Sequence, residues 1–250
     1  MTIAFVHGVP VTTAVWTPLI GELPAAQQAQ VVRLSPPGFG AALPAGFGAT
    51  FLDYRDWLIG ELTRLETPVD LVGHSLAGGY VLEATMARPD LVRSWVCDTI
   101  GGYEPDYAWH ETAKIWQTPG DGERHVEETF AGDVAQRTAR MNAWGIPSPT
   151  AGEVALAQGP EMGRAILSLY RSLPGNTLVQ RGRDLPAAAA RPGLVPVATG
   201  DDTGGSVALR HRAAQRAGAR AVDLDGLGHW WMLEDPARAA RMLTSFWTGL

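Results

Sequence analysis

Val69-Asp70-Leu71-Val72-Gly73-His74-Ser75-Leu76-Ala77-Gly78-Gly79-Tyr80-Val81-Leu82 is the stretch whose reading decides the fold. Its opening, Val69 to Val72, is short and β-prone, as a buried strand should be, and Gly73 stops it abruptly. From Leu76 to Met86 the residues suit a helix. A serine therefore stands on a sharp strand-to-helix turn. Such a turn strains the backbone of the residue at its apex, lifts the hydroxyl above the sheet and aims the first helical N–H groups at developing negative charge. Gly73 and Gly78 supply the small neighbours that the crowding demands, and Ala77 stands where the usual pattern repeats glycine. The structural alternative for Ser75 is a helix N-cap, since serine after a strand often fills that role.

The same alternation extends in both directions. Ile3 to His7 reads as a strand, Thr17 to Gln28 as a helix and Gln30 to Leu34 as a second strand, followed by the turn-rich Ser35-Pro36-Pro37-Gly38-Phe39-Gly40. Phe51 to Leu65 carries apolar residues at helical spacing, and Val92 to Cys97 is strand-like. Alternating buried strands and helices predict an α/β fold with a mostly parallel sheet. The pattern lapses over 101–190, where helical stretches and turns predict a helical cap insertion. It resumes with Leu194 to Thr199, Val207 to Ala217, Ala221 to Leu224 and Pro236 to Trp247. The expected organisation is a core of residues 1–100 and 191–250 carrying that cap.

Composition narrows the function classes. The 250 residues include 46% hydrophobic and 18% charged side chains, which suits a folded globular body with a substantial core. A net charge of −6, with 20 Lys and Arg scattered along the chain, gives no electrostatic footprint for nucleic acid or an anionic membrane. Neither partner is expected. Cys97 stands alone, so neither an internal disulfide nor a thiolate metal cluster can form. Without a basic n-region or a span of about 18 apolar residues, a cytoplasmic protein is the expectation.

Three further features bear on chemistry. Gly228-His229-Trp230-Trp231 lies between a strand and a helix, which puts His229 in a loop at the carboxyl edge of the sheet. His7-Gly8-Val9-Pro10 ends the first strand, where a tight turn can present the Val9 N–H beside that of Leu76 as an oxyanion hole. His110, His125 and His211 lack paired metal-ligand spacing, so no metal is assigned. His74 is read as a packing residue whose ring hydrogen-bonds locally. Trp109, Trp116, Trp144 and Trp230 suggest the lining of an apolar pocket, with Trp109 and Trp230 as substrate contacts.

These motifs together resemble the α/β-hydrolase family: His7-Gly8-Val9-Pro10 with Trp16, Pro37-Gly38-Phe39-Gly40, Gly73-His74-Ser75-Leu76-Ala77-Gly78, and Gly228-His229 running on to Asp235-Pro236. The early ones are similar to those of epoxide hydrolases and haloalkane dehalogenases, which carry an aspartate nucleophile where this chain has Ser75. The resemblance implies an α/β-hydrolase fold and a Ser75, His229 and Asp triad that attacks a carbonyl without any cofactor. Two positions compete for the acid. Asp202 follows the expected strand, although the common Gly-x-x-Asp spacing falls on Thr203; Asp98 ends the strand after the nucleophile helix; Asp201 ranks behind both. The expected substrate is a small-molecule apolar ester or lactone. A lyase or carbon–carbon bond hydrolase using the same triad, and a hydrolase-like ligand receptor, remain as alternatives. The sequence leaves the oligomeric state open.

Overall fold

The computed structural model describes residues 1–65 and 68–250. Six strands form one sheet: β1 (Ile3–Val6), β2 (Val31–Leu34), β3 (Val69–Gly73), β4 (Val92–Cys97), β5 (Gly193–Ala198) and β6 (Arg220–Leu224). Their spatial order is β2-β1-β3-β4-β5-β6, and every neighbouring pair is parallel. The reversal of order at β1 and β3 makes a switch point, and the carboxyl ends of parallel strands open there. Ser75 follows β3 and Val9 follows β1, so both chains deliver residues to that crevice.

β1 is apolar throughout and β3 is apolar but for Asp70, which is buried and paired with Arg93 and Ser94, and the burial has a simple cause. Successive side chains alternate between faces, and helices cover both faces, so each position is buried. Ala4, Val6, Val69 and Leu71 pack into one core with Leu58 of the Phe51–Arg64 helix and Tyr80 of the Leu76–Ala87 helix. Ile3, Phe5 and Val72 pack into the other with Trp16, Trp231 and Leu243. The Phe51–Arg64 helix starts on a capping box, Thr50 accepting from the Asp53 N–H while Asp53 accepts from the Thr50 N–H.

Between β4 and β5 the described residues hold no strand. The chain there folds into the helices Glu111–Gln117, Asp121–Phe130, Val134–Ala143, Thr150–Ala157, Pro160–Arg171 and Thr177–Arg181. Pro160–Arg171 is firmly tied to the rest of the body: Ser172, just past its end, accepts a hydrogen bond from the Phe51 N–H at 2.9 Å. One expected helix is divided. Thr17 to Gln28 becomes Thr17–Glu22 and Ala25–Gln28, because Pro24 has no N–H to continue the first and begins the second. Among the described residues no helix is long and apolar enough to cross a membrane.

Candidate active site

Ser75 has φ +57° and ψ −139°, a conformation that side-chain-bearing residues rarely hold. Strain of this kind costs about 1–3 kcal/mol and persists only where the surroundings enforce it. Here they do. The Ser75 N–H donates to Asp98 Oδ1 at 2.8 Å, and its carbonyl accepts from the Thr99 hydroxyl at 2.6 Å. The hydroxyl of Ser75 makes no capping bond to the helix that follows, so the N-cap alternative fails and the group stays available at the cavity wall. Gly8 presses on this apex: a Cβ there would lie 2.5 Å from Ser75 Cβ and 3.1 Å from its Oγ. A side chain at position 8 is therefore incompatible with this position of Ser75.

The N–H groups of Val9 and Leu76 donate to no group among the described residues, and both residues line the cavity that Ser75 enters. Leu76 is the first residue of its helix, where the N–H has no intrahelical acceptor in any case. Two orphan donors beside a hydroxyl on the cavity wall are what an oxyanion requires.

His229 lies in the loop between β6 and the Trp231–Glu234 helix, and its ring also lines the cavity. The Nδ1–H points at Asp201 Oδ2 at 3.1 Å and at the Thr203 oxygen at 2.9 Å. Thr203 in turn donates both its hydroxyl and its N–H to Asp201 Oδ1, at 2.7 and 2.9 Å. Asp201, His229 and Thr203 thus form a closed set. Burial pushes the Asp201 carboxyl up, but the hydrogen bond and charge of His229 together with the Thr203 donors outweigh it and hold the group well below the usual carboxylate range. For His229, burial alone favours the neutral ring, while the Asp201 carboxylate overrides it and raises the imidazole above its ordinary value.

The structure brings Asp201 to His229 rather than Asp202, the position that the sequence reading favours. Asp202 is exposed, and its side chain bonds to no group among the described residues; the tight turn after β5 directs its neighbour Asp201 inward instead. Thr203, where the Gly-x-x-Asp spacing expects the carboxylate, contributes a hydroxyl that spans Asp201 and His229. Nothing in the composition of the loop marked that bridge. Asp98 is not within reach of His229 as its acid either. Its Oδ1 accepts the Ser75 N–H, its Oδ2 accepts Trp231 Nε1 at 2.9 Å, and it is buried. Asp98 ties the serine turn to the histidine loop.

His74 supports the same junction. Its Nε2–H donates to the His229 carbonyl at 2.9 Å and passes 3.5 Å from Asp98 Oδ2. Burial holds its pKa down at about 4, so the ring is neutral near pH 7. Trp109 and Trp230 both line the cavity, as do Tyr103, Tyr107, Trp116, Trp144 and Tyr170. The space measures about 260 Å³, and no Lys, Arg, Asp or Glu is part of its wall. No group of three or more His, Cys, Asp or Glu side chains among the described residues is arranged to hold a metal.

Comparison with known proteins agrees with this architecture. The model of the alpha/beta hydrolase family matches residues 3–242. The chain belongs to that family. Among solved structures, a haloalkane dehalogenase from Bradyrhizobium elkani superposes with a TM-score of 0.70 at 18% identity, covering 100% of this chain and 91% of the other. An E-2-(acetamidomethylene)succinate hydrolase superposes with a TM-score of 0.71 at 20% identity, covering 98% and 90%. At such identities the likeness is one of fold. A curated relative, the (E)-2-((N-methylformamido)methylene)succinate hydrolase of Acinetobacter baylyi, is 30% identical over 92 residues, which is 36% of this chain. The match spans about a third of that relative's length, 34%. This α/β hydrolase places its candidate chemistry at the carboxyl ends of the parallel strands.

Proposed function

We propose that this α/β hydrolase cleaves small, neutral carboxylic esters or lactones through a Ser75, His229 and Asp201 triad. The observation that carries the reading is the strained Ser75, its hydroxyl unspent on capping, opening into an aromatic cavity beside two orphan N–H groups. In the reaction His229 Nε2 removes the Ser75 Oγ proton as the oxygen attacks the carbonyl carbon. The tetrahedral oxyanion lies against the Val9 and Leu76 N–H groups, each contributing about 3 kcal/mol by comparison with similar donors. The intermediate collapses as the imidazolium returns its proton to the departing alcohol oxygen. Water then attacks the acyl-enzyme, again losing its proton to His229, and the acid leaves with Ser75 restored. Asp201 holds Nδ1 protonated and stabilises the positive ring.

Charge argues against the substrates named for the succinate hydrolases. A dicarboxylate entering a cavity without a cationic wall exchanges hydration for aromatic surface, at a cost of several kcal/mol. Carbon–carbon cleavage of a neutral ketone by the same triad is the second reading, supported by the relatives' hydrolase names. Turnover of p-nitrophenyl acetate, butyrate and hexanoate, set against cleavage of a neutral β-diketone, separates the two. Burst release of p-nitrophenol, lost in Ser75→Ala, supports ester chemistry; diketone cleavage without ester turnover overturns it.

A further inference from the structure

Most polar groups on the cavity wall are committed within the protein. The Thr99 hydroxyl donates to the Ser75 carbonyl, Tyr107 to the Thr203 carbonyl at 3.0 Å, Trp116 Nε1 to His125 and Trp230 Nε1 to the Trp144 carbonyl. His110 differs. Its Nδ1 accepts the Ala113 N–H at 3.3 Å, capping the Glu111–Gln117 helix, so Nδ1 carries a lone pair and the proton of the neutral ring sits on Nε2. Nε2 has no partner among the described residues, and the residue lines the cavity. Burial, aided by the positive charge that His229 takes up, keeps the ring neutral. Trp109 and Tyr170 pack edge to face beside it, and neither the indole N–H nor the phenol is committed among the described residues. Away from the Ser75, His229, Val9 and Leu76 groups, the free donors of the cavity wall gather on the helical insertion, where Thr112 adds a hydroxyl beside His110, Trp109 and Tyr170.

We propose that His110 Nε2–H binds a second oxygen acceptor of the substrate, so that this site prefers esters or lactones bearing a further neutral carbonyl over plain alkyl esters. The inference rests on the ester-hydrolase reading and adds the chemistry of the substrate's other end. A neutral N–H is suited to a ketone or amide oxygen, and the lack of a cationic wall disfavours a carboxylate at that place. Trp109 and Tyr170 shield the bond from water, which raises its value.

The test compares kcat/KM for p-nitrophenyl 4-oxopentanoate, 5-oxohexanoate and 6-oxoheptanoate with the matching alkanoates. His110→Asn keeps a capping acceptor for the Ala113 N–H, while its shorter side chain no longer carries a donor out to the position of Nε2. The expected result is a preference of roughly tenfold for at least one oxo ester in the unaltered protein, falling to about one in His110→Asn. A ratio has the merit that partial loss of folded protein cancels. No preference in any pair, or a preference that survives His110→Asn, overturns the proposal. Equilibrium binding of the ethyl oxo esters and alkanoates to Ser75→Ala protein, followed by tryptophan fluorescence, gives the same comparison without catalysis. If no ester is turned over yet the binding preference is present and depends on His110, the hydrolase reading fails and the recognition site stands; equal binding of both series overturns the recognition site itself.

Discussion

The Nδ1–H of His229 points at Asp201 Oδ2 at 3.1 Å, while the adjacent Asp202 faces solvent. One residue of register in the loop after β5 separates an acid that orients the imidazole from a surface charge. Asp201→Asn should lower kcat by roughly 10³–10⁴-fold, because the amide favours the wrong histidine tautomer. Asp202→Asn should change it by less than about twofold. Steady-state rates of the two purified variants on one ester settle the assignment; the reverse ranking contradicts it.

In the proposed triad Asp201 would also set the pH at which the site works. It raises the His229 imidazole, and the ring must be neutral to accept the Ser75 proton. The kcat/KM profile should therefore fall on the acidic side with a midpoint above the ordinary histidine value near 6.5. In Asp201→Asn the residual activity should keep its neutral base to lower pH, moving that limb downward. A limb below 6 in the unaltered protein contradicts the ion-pair geometry.

Thr203 gives Asp201 two hydrogen bonds and shares the His229 proton. Thr203→Val keeps the shape and deletes the hydroxyl, leaving one carboxylate oxygen less satisfied. The expectation is a loss of about tenfold in kcat with little change in thermal midpoint, measured on the same ester by steady-state kinetics. An unchanged kcat would reduce Thr203 to a loop residue.

Asp98 has a different role from the one its position suggested. With both oxygens accepting, from Ser75 N–H and Trp231 Nε1–H, an amide at this place must aim N–H at a donor. Asp98→Asn should cost about 1–3 kcal/mol of stability, read as a lower urea midpoint, and slow the reaction by loosening the serine turn. Full stability with activity reduced 10³-fold or more would instead mark Asp98 as the acid.

His7 and His74 predict an acid sensitivity. Both are fully buried, and burial lowers each to about 4. The unfolded chain takes up these protons below about 6.5 and the folded one only near 4, so stability is complete above 6.5 and declines as pH falls toward 4. By pH 5 the two together lower stability by a few kcal/mol. The raised His229 opposes this, since its pairing stabilises the folded state at low pH and that share fades as pH rises through its own value. Urea titrations at pH 7 and pH 5 should show the net loss; equal midpoints contradict the neutral, buried state of these rings.

Much of this architecture is legible in the sequence because sheet and helix periods leave visible marks. The β3 run, its glycine stop and the helix behind it fix Ser75, and His229 is equally visible between β6 and its helix. The acid is not legible, because three aspartates stand at strand ends and composition cannot say which carboxylate a turn directs inward. The spacing rule lands on Thr203, and only the folded loop shows a hydroxyl there bridging its neighbour two residues back. The role of Asp98 depends on Trp231, 133 positions away, and no local pattern carries a contact of that range. The sequence weighs His110 only as a metal ligand, because a single histidine in a helical segment has no spacing partner, and its free nitrogen emerges only once the other is seen to cap a helix.

The central claim is that Ser75 is a nucleophile, and an active-site phosphonate tests it most directly. Incubation with an alkyl p-nitrophenyl phosphonate, followed by proteolysis and mass analysis, should find one phosphonyl group per chain on the peptide that contains Ser75. Modification should slow strongly in His229→Ala and vanish in Ser75→Ala. Ester turnover that persists in Ser75→Ala, with label elsewhere or nowhere, would contradict the account.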